Sequence, residues 1–209
     1  FDGKAVALQR TGKLGTYAAC LGHEATHVGI GASMQPEDVF APSYREYGAQ
    51  FERGVKPRDV LLYWGGDERG NDFEIPRNDY PWCVPISTQC LMASGAALAF
   101  KLRGEQRVAV ATCGDGGSSK TDFYAAVNSA GAFHLPLILC VVNNGWAISV
   151  PRKAQTGADT LAQKGIAGGL HCLQVDGNDI IAVLEGLRRA HERARNGEGG
   201  SVIEFITYR

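Results

Sequence analysis

Short apolar runs alternate with helical patterns along the chain from about residue 84 onward. Four of these runs are rich in β-branched and aliphatic residues, which predicts buried parallel strands. The predicted strands are 107–112, 137–142, 172–175 and 202–206. The predicted helices are 89–102, 121–133 and 179–195. This order is typical of an α/β fold in which a parallel sheet has helices on both faces.

The first 80 residues lack such strand patterns, and they predict helices and loops that lead into the sheet. Residues 1–8 resemble the middle of an amphipathic helix, whereas residues 65–72 predict an exposed loop. Residues 201–208 predict a core strand at the very end of the chain. Because chains rarely begin or end inside such elements, we expect residues 1–209 to form a single domain that lacks N- and C-terminal segments.

Composition narrows the classes of function. Lys and Arg total 21 against 22 Asp and Glu, so no basic surface for nucleic acid or an anionic membrane is expected. No apolar run approaches the roughly 18 residues of a membrane span. The six cysteines form no C-x-x-C pair, and four lie in apolar runs, which indicates reduced thiols and a cytoplasmic protein.

The ends of two predicted strands carry residues that suit the same ligand. Gly114-Asp115-Gly116 follows strand 107–112, and Asn143-Asn144 follows strand 137–142. Either motif alone is weak in a chain with 27 glycines, but the 26 residues 117–142 hold one helix and one strand, as a return to a neighbouring strand end requires. Glycine amides can approach phosphate oxygens, and Asp115, Asn144 and a nearby carbonyl suit Mg²⁺. The pair predicts a magnesium and diphosphate site.

Further segments extend the pattern over nearly the whole chain. They are Ser43-Tyr44-Arg45-Glu46, 83–89, 114–124, 143–149 and 174–178. Together these segments resemble the alpha subunit of the first component of 2-oxo acid dehydrogenase complexes. The resemblance implies a thiamin-diphosphate-binding fold, and it implies oxidative decarboxylation of a 2-oxo acid with acyl transfer to lipoyl groups. Residues 63–70 favour the pyruvate type over the branched-chain type.

The resemblance also implies roles for individual residues. Asp115, Asn144 and the main-chain carbonyl of Trp146 would bind magnesium. The diphosphate would be held by the turn Gly114, Gly116 and Gly117 and by Tyr44 and Arg45. Ile86 would support the bent cofactor, and the carbonyl of Val84 would face its aminopyrimidine. Oxygens of Cys83, Pro85, Thr88 and Gln89 would form a potassium site, with a turn that needs no ion as the alternative.

Two parts of the active site are expected outside this chain. The resemblance places the glutamate that activates the cofactor in a separate beta chain, and it places a substrate histidine beyond Arg209. It implies a tetramer of two alpha and two beta chains that serves a lipoyl-bearing acyltransferase. The subunit alone is therefore expected to be catalytically incomplete.

A competing motif lies near the N-terminus. His23-Glu24-Ala25-Thr26-His27 matches the H-E-x-x-H signature of zinc peptidases, with Glu37 or Glu46 as a conceivable third ligand. Nearby glycines weaken the helix that this motif requires. His23 also stands where the resembling family usually has glutamine, which makes the match an accident. An interaction module that has lost the cofactor is a further alternative.

Overall fold

The computed structural model describes residues 1–208 of the chain. The α-helices are α1 (Asp2–Arg10), α2 (Glu24–Ser33), α3 (Tyr47–Glu52), α4 (Pro57–Trp64), α5 (Thr88–Arg103), α6 (Thr121–Ala132), α7 (Arg152–Gln155) and α8 (Ile180–Arg195). The strands are β1 (Val39–Ala41), β2 (Ala109–Gly114), β3 (Leu137–Asn143), β4 (Trp146–Ala147), β5 (Val150–Pro151), β6 (His171–Asp176) and β7 (Ser201–Ile206). Short 3₁₀ helices span Glu68–Asn71, Gly116–Ser119 and Ala162–Gly168.

Five strands form one parallel sheet in the order β1-β2-β3-β7-β6. The four predicted strands and three predicted helices are confirmed, with ends shifted by at most two residues. The expectation of helices and loops alone in the first 80 residues is wrong, because β1 forms an edge of the sheet. This strand has only three residues, and its outer side is covered by hydrogen bonds to Asp79 and Tyr80.

Helices cover both faces of the sheet, as predicted. Helices α5 and α6 pack on one face with the 3₁₀ helix Ala162–Gly168, and α2 and α8 pack on the other. Alternate residues of each strand point to opposite faces, so Leu139 and Val202 join the first core while Cys140 and Ile203 join the second. The sheet is therefore buried on both sides, which explains its continuously apolar strands.

A third, smaller core lies outside the sheet. The ring of Tyr47 on α3 packs there with Trp82 and Phe73. The predicted exposed loop 65–72 borders this region, but it contains the 3₁₀ turn Glu68–Asn71, which the carboxylate of Asp67 caps at the Arg69 amide. Within residues 1–208, no helix is long and apolar enough to cross a membrane.

Small residues allow α5, α6 and the 3₁₀ helix Ala162–Gly168 to pack closely. The hydroxyls of Ser94 and Ser129 lie 2.6 Å apart between the two long helices. A Cβ added at Gly131 would lie 1.6 Å from the carbonyl oxygen of Gly168, whereas one added at Gly95 would meet nothing within 4 Å. Gly131 is therefore needed for close packing of α6, whereas Gly95 is not needed for packing within this chain.

We expect Gly131→Ala to destabilise the fold by about 3 kcal/mol or more, because the new methyl group collides with backbone that cannot rotate away. Gly95→Ala is the matched control, since it gains helix propensity in open space and should stabilise by roughly 0.5–1 kcal/mol. Urea unfolding of both variants measures the difference. Equal effects of the two substitutions would contradict the packing described here.

Candidate functional site

A cleft of about 990 Å³ opens at the carboxyl ends of β1, β2 and β3, beside the turn that precedes α5. Ligand sites of parallel α/β sheets usually occupy this position. The predicted site residues that line the cleft are Tyr44, Arg45, Cys83, Pro85, Ile86, Thr88, Gln89, Gly114, Asp115, Gly116, Gly117, Asn144 and Trp146. Val84 is not among the lining residues, and its side chain is 48% exposed.

The turn after β2 forms the floor of the cleft and is approached closely by two other segments. A Cβ at Gly116 would lie 2.5 Å from the Cβ of Ala147, and one at Gly117 would lie 2.7 Å from the Oγ of Ser87. Ser87 also donates a hydrogen bond to the carbonyl oxygen of Gly117 at 2.7 Å. Glycine is required at both positions because the three turns leave no room for a side chain.

Asp115 lies on this floor with only 2% of its surface exposed. Its Oδ2 accepts a hydrogen bond of 2.7 Å from the Nε2 of Gln155. None of the ion pairs within residues 1–208 includes Asp115. The ammonium group of Lys164 acts on Asp115 electrostatically but makes no direct ion pair with it. A buried carboxylate without a direct ion pair is costly, so this residue fits a site for a metal ion.

The two asparagines after β3 have different environments. Asn143 is buried, and its Nδ2 donates to Glu204 on β7 at 2.7 Å. Asn144 lines the cleft, where its Oδ1 accepts a 3.1 Å hydrogen bond from the amide of Trp146. Its Nδ2 lies 3.4 Å from the Nε2 of His23. Asn143 thus anchors the strand, while Asn144 is the residue that a ligand in the cleft can reach.

The unpredicted strand β1 explains how Tyr44 and Arg45 reach the cleft. They follow the end of β1, and the amide of Ser43 donates to the Oγ1 of Thr112 on β2 at 3.2 Å. The guanidinium carbon of Arg45 lies 5.4 Å from the centroid of the Tyr44 ring. The Nη1 of Arg45 donates to the carbonyl oxygen of Ala19, so the cation is held in place.

The turn before α5 provides the opposite wall. The side chain of Ile86 is 45% exposed and lines the cleft. The carbonyl oxygen of Pro85 accepts weakly from the thiol of Cys83 and from the amide of Thr88, both at 3.4 Å. Gln89 donates to the carbonyl oxygen of Thr112 at 2.5 Å, but its buried Oε1 has no hydrogen-bond partner within residues 1–208.

Three residues outside the sequence motifs support the cleft. Gln155 contacts Asp115, as described above. Lys164 donates to the carbonyl oxygen and hydroxyl of Ser118, both at 2.9 Å, and burial lowers the pKa of its ammonium group. Glu204 is 1% exposed, and a charged residue inside the apolar run 202–206 was a visible signal of a special role.

The H-E-x-x-H segment does not form a zinc site in residues 1–208, where no group of three or more His, Cys, Asp or Glu side chains could hold a metal. His23 precedes α2 as its N-cap residue, and His27 is a buried residue of the helix. The ring centroids of His23 and His27 lie 5.4 Å apart. Glu24 is bonded to the amide of Gly22 at 2.8 Å. Glu37 is exposed, and Glu46 accepts from the amide of Arg45 at 3.2 Å.

Comparison with known proteins assigns the family. The sequence model of the dehydrogenase E1 component matches residues 1–209, and the chain belongs to this family. It is 41% identical over 208 residues to the pyruvate dehydrogenase E1 component subunit alpha of Acholeplasma laidlawii, covering 100% of this chain and 60% of that protein. The corresponding subunit of Staphylococcus aureus (strain Mu50) is 40% identical, with 100% and 56% covered.

A solved structure supports the fold. A candidate thiamin diphosphate-dependent enzyme from Mycobacterium smegmatis aligns with a TM-score of 0.58 and 18% identity, covering 92% of this chain and 34% of that one. The resemblance inferred from the sequence motifs and the predicted α/β class are therefore confirmed. The chain spans about 60% of the length of the curated relatives it matches.

We expect His27 to make stability fall in mild acid. Burial, the His23 ring and the cation of Arg45 hold the pKa of His27 well below its ordinary value of 6.5. Below pH 6.5, His27 therefore binds a proton in the unfolded chain but stays neutral in the folded chain, so the free energy of unfolding falls as pH falls. His27→Phe should remove up to about 1.4 kcal/mol per pH unit of this slope.

Urea unfolding at pH 7.5, 6.5 and 5.5 measures the effect of His27→Phe. His134→Asn is the surface control, because Asn tolerates the φ of 46° at this exposed position. An identical pH slope in wild type and His27→Phe would contradict the lowered pKa, because it would mean that His27 binds protons equally in the folded and unfolded protein.

Proposed function

We propose that this chain is the cofactor-binding part of the alpha subunit of a 2-oxo acid dehydrogenase, with pyruvate as the substrate. Its residues 1–209 would form a single thiamin-diphosphate-binding domain. The observation that carries the proposal is the buried carboxylate of Asp115, which lies at the carboxyl ends of the strands and makes no ion pair within residues 1–208. The relatives are named as pyruvate dehydrogenase subunits, which favours pyruvate over branched-chain acids.

In this proposal, Asp115, Asn144 and the carbonyl oxygen of Trp146 hold Mg²⁺. They come from two neighbouring strand ends, and they supply the hard oxygen ligands that Mg²⁺ prefers. The diphosphate would lie between the ion and the amides of Gly116 and Gly117, where side chains are excluded. Arg45 with Tyr44, fixed at the end of β1, would contribute the positive charge that a diphosphate requires.

The remaining wall would orient the organic part of the cofactor. Ile86 offers an aliphatic surface inside the cleft, and the backbone of Val84 would supply a carbonyl acceptor. A potassium ion in the turn 83–89 is part of the proposal, and the buried Oε1 of Gln89 supports it. Thiamin diphosphate would supply the carbanion stabilisation needed for decarboxylation, while the chain binds it, orients it and excludes water.

The carboxyl groups of the cleft point to a missing partner. Three acidic residues line it, and each is already engaged: Asp115 with Gln155, Asp122 with Thr88, and Glu46 with the amide of Arg45. Burial also raises the pKa of Glu46. As the family resemblance implies, the glutamate that activates the cofactor would come from a beta chain.

Exposed apolar side chains along α5 and α6 suit a protein partner. Leu91 and Tyr124, near the starts of these helices, are 44% and 42% exposed, and Leu102 and Phe133, at their far ends, are 79% and 53% exposed. Gly131 of α6 packs against Gly168 of the same chain, so this part of α6 is not free to meet a partner. We infer that the outer face of α5 contributes most to a tetramer of two alpha and two beta chains.

The proposed assembly would work with a lipoyl-bearing acyltransferase, which accepts the acyl group. A cytoplasmic location is supported by the six cysteines, all of which are free thiols within the described residues. The balanced charge likewise supports small-molecule substrates and protein partners rather than nucleic acid or a membrane.

We expect Asp115→Ala to abolish magnesium-dependent binding of thiamin diphosphate while the fold is retained. The carboxylate is the only charged protein ligand proposed for the ion, and its removal leaves neutral oxygens alone. Titration calorimetry of the protein assembled with its beta chain measures the affinity, and Asp159→Ala at an exposed position is the control. Unchanged affinity in Asp115→Ala would contradict the proposed site, and a wild-type protein without affinity would favour the non-catalytic interaction module.

A second prediction concerns assembly. The alpha chain alone should show no 2-oxo acid decarboxylation, and addition of the beta chain should produce activity together with the mass of two alpha and two beta chains. Leu91→Arg on α5 should weaken association by about tenfold or more, because it buries a charge at the contact. Ile181→Arg is the control, since this exposed residue lies on α8 at the opposite face of the sheet.

Light scattering and decarboxylation assays measure the two effects. Substantial activity of the purified alpha chain without a partner would refute the assembly proposal. Equal weakening by Leu91→Arg and Ile181→Arg would show that the α5 face is not the contact.

A further inference from the structure

Gln155 belongs to none of the sequence motifs, yet it contacts the residue at the centre of the proposed site. It is the last residue of α7, which follows the small β4-β5 hairpin at the mouth of the cleft. Its Nε2 donates to the Oδ2 of Asp115 at 2.7 Å and to the carbonyl oxygen of Val150 at 3.0 Å. Both amide hydrogens are thereby used, which fixes the orientation of the side-chain amide.

This contact constrains how Asp115 can bind an ion. A carboxylate has two oxygens, and a hydrogen bond to one of them restricts rotation and leaves the other to act as a ligand. The amide donor is neutral, so it does not compete with a cation for Asp115 as a direct ion pair would. A lysine or arginine in the same place would compete with the metal for that charge.

The segment around Gln155 is held rigidly enough to place the amide. The backbone amide of Arg152 donates to the carbonyl oxygen of Gly145 at 2.8 Å, which closes the hairpin. The Nη2 of the same arginine donates to the carbonyl oxygen of Ala158 at 2.7 Å, beyond the end of α7. The residue thus stands on a braced turn rather than on a free loop.

We propose that Gln155 is a positioning residue of the magnesium centre: its amide nitrogen holds Asp115 for ligation through Oδ1. The inference rests on the proposed function. It adds a residue that acts through Asp115 without touching the ion itself.

The test replaces Gln155 by methionine, which has a similar length and shape but no polar group. Apparent Mg²⁺ affinity is measured by calorimetry at saturating thiamin diphosphate, with the alpha chain assembled with its beta chain. We expect a loss of about tenfold, as for other residues that orient metal ligands. Gln163→Met is the control, because Gln163 is exposed and its side chain has no hydrogen bond to the cleft.

A second readout separates positioning from simple packing. With Mn²⁺ in place of Mg²⁺, the electron paramagnetic resonance spectrum of the bound ion should differ between wild type and Gln155→Met. The thermal midpoint of the metal-free protein should stay within a few degrees of wild type. Gln155→Ala should show the same loss of affinity, and failure of both variants to fold would assign Gln155 to the fold and overturn the inference.

The outcomes distinguish this inference from the proposed function. Affinity within twofold of wild type and an unchanged spectrum in Gln155→Met, with binding abolished in Asp115→Ala, would overturn the inference alone. A wild-type complex that binds thiamin diphosphate equally well without a divalent ion would overturn both.

Discussion

Close contact between three segments governs the arrangement of the cleft. They are the turn after β2, the hairpin that follows β3 and the segment before α5, and they meet where the Cβ of Ala147 and the Oγ of Ser87 exclude a methyl group on Gly116 and Gly117. They can meet only because β2 and β3 are parallel neighbours whose carboxyl ends share one edge of the sheet. The position of the cleft thus follows from the order of the strands in the sheet. Gly116 and Gly117 allow the neighbouring segments to approach the turn after β2 closely.

Glu204 extends this constraint to the rest of the site. Its Oε1 accepts from Asn143, and its Oε2 accepts from the amides of Leu161 and Ala162 and from the side chain of Gln174. A buried carboxylate with several donors is well satisfied without a cation. Because its partners lie at both ends of the segment 144–160, this one side chain fixes where the hairpin and α7 start and finish.

The sequence predicted what depends on local pattern. Apolar runs predict β2, β3, β6 and β7, and because parallel strand ends converge at one edge of a sheet, the sequence also predicts that Asp115 and Asn144 lie near each other. Strand β1 was not predicted because three residues are too few to show a periodic pattern, and because the residue that covers its outer edge, Asp79, lies far along the chain. The contacts of Gln155 and His23 were not predicted because they also join distant parts of the chain. Gln155 contacts Asp115 across 40 residues, and His23 contacts Asn144 across 121 residues.

The burial of Asp115 without a direct ion pair has a consequence for the stability of the protein in the cell. A ligand that binds only the folded form stabilises it by mass action, so a cation bound to this carboxylate as proposed would stabilise the folded subunit. Newly made subunit would then persist when metal and cofactor are plentiful and would be exposed to proteolysis when they are scarce. The carboxylate that would bind the metal ion would thus also link the amount of protein that accumulates to the supply of metal and cofactor.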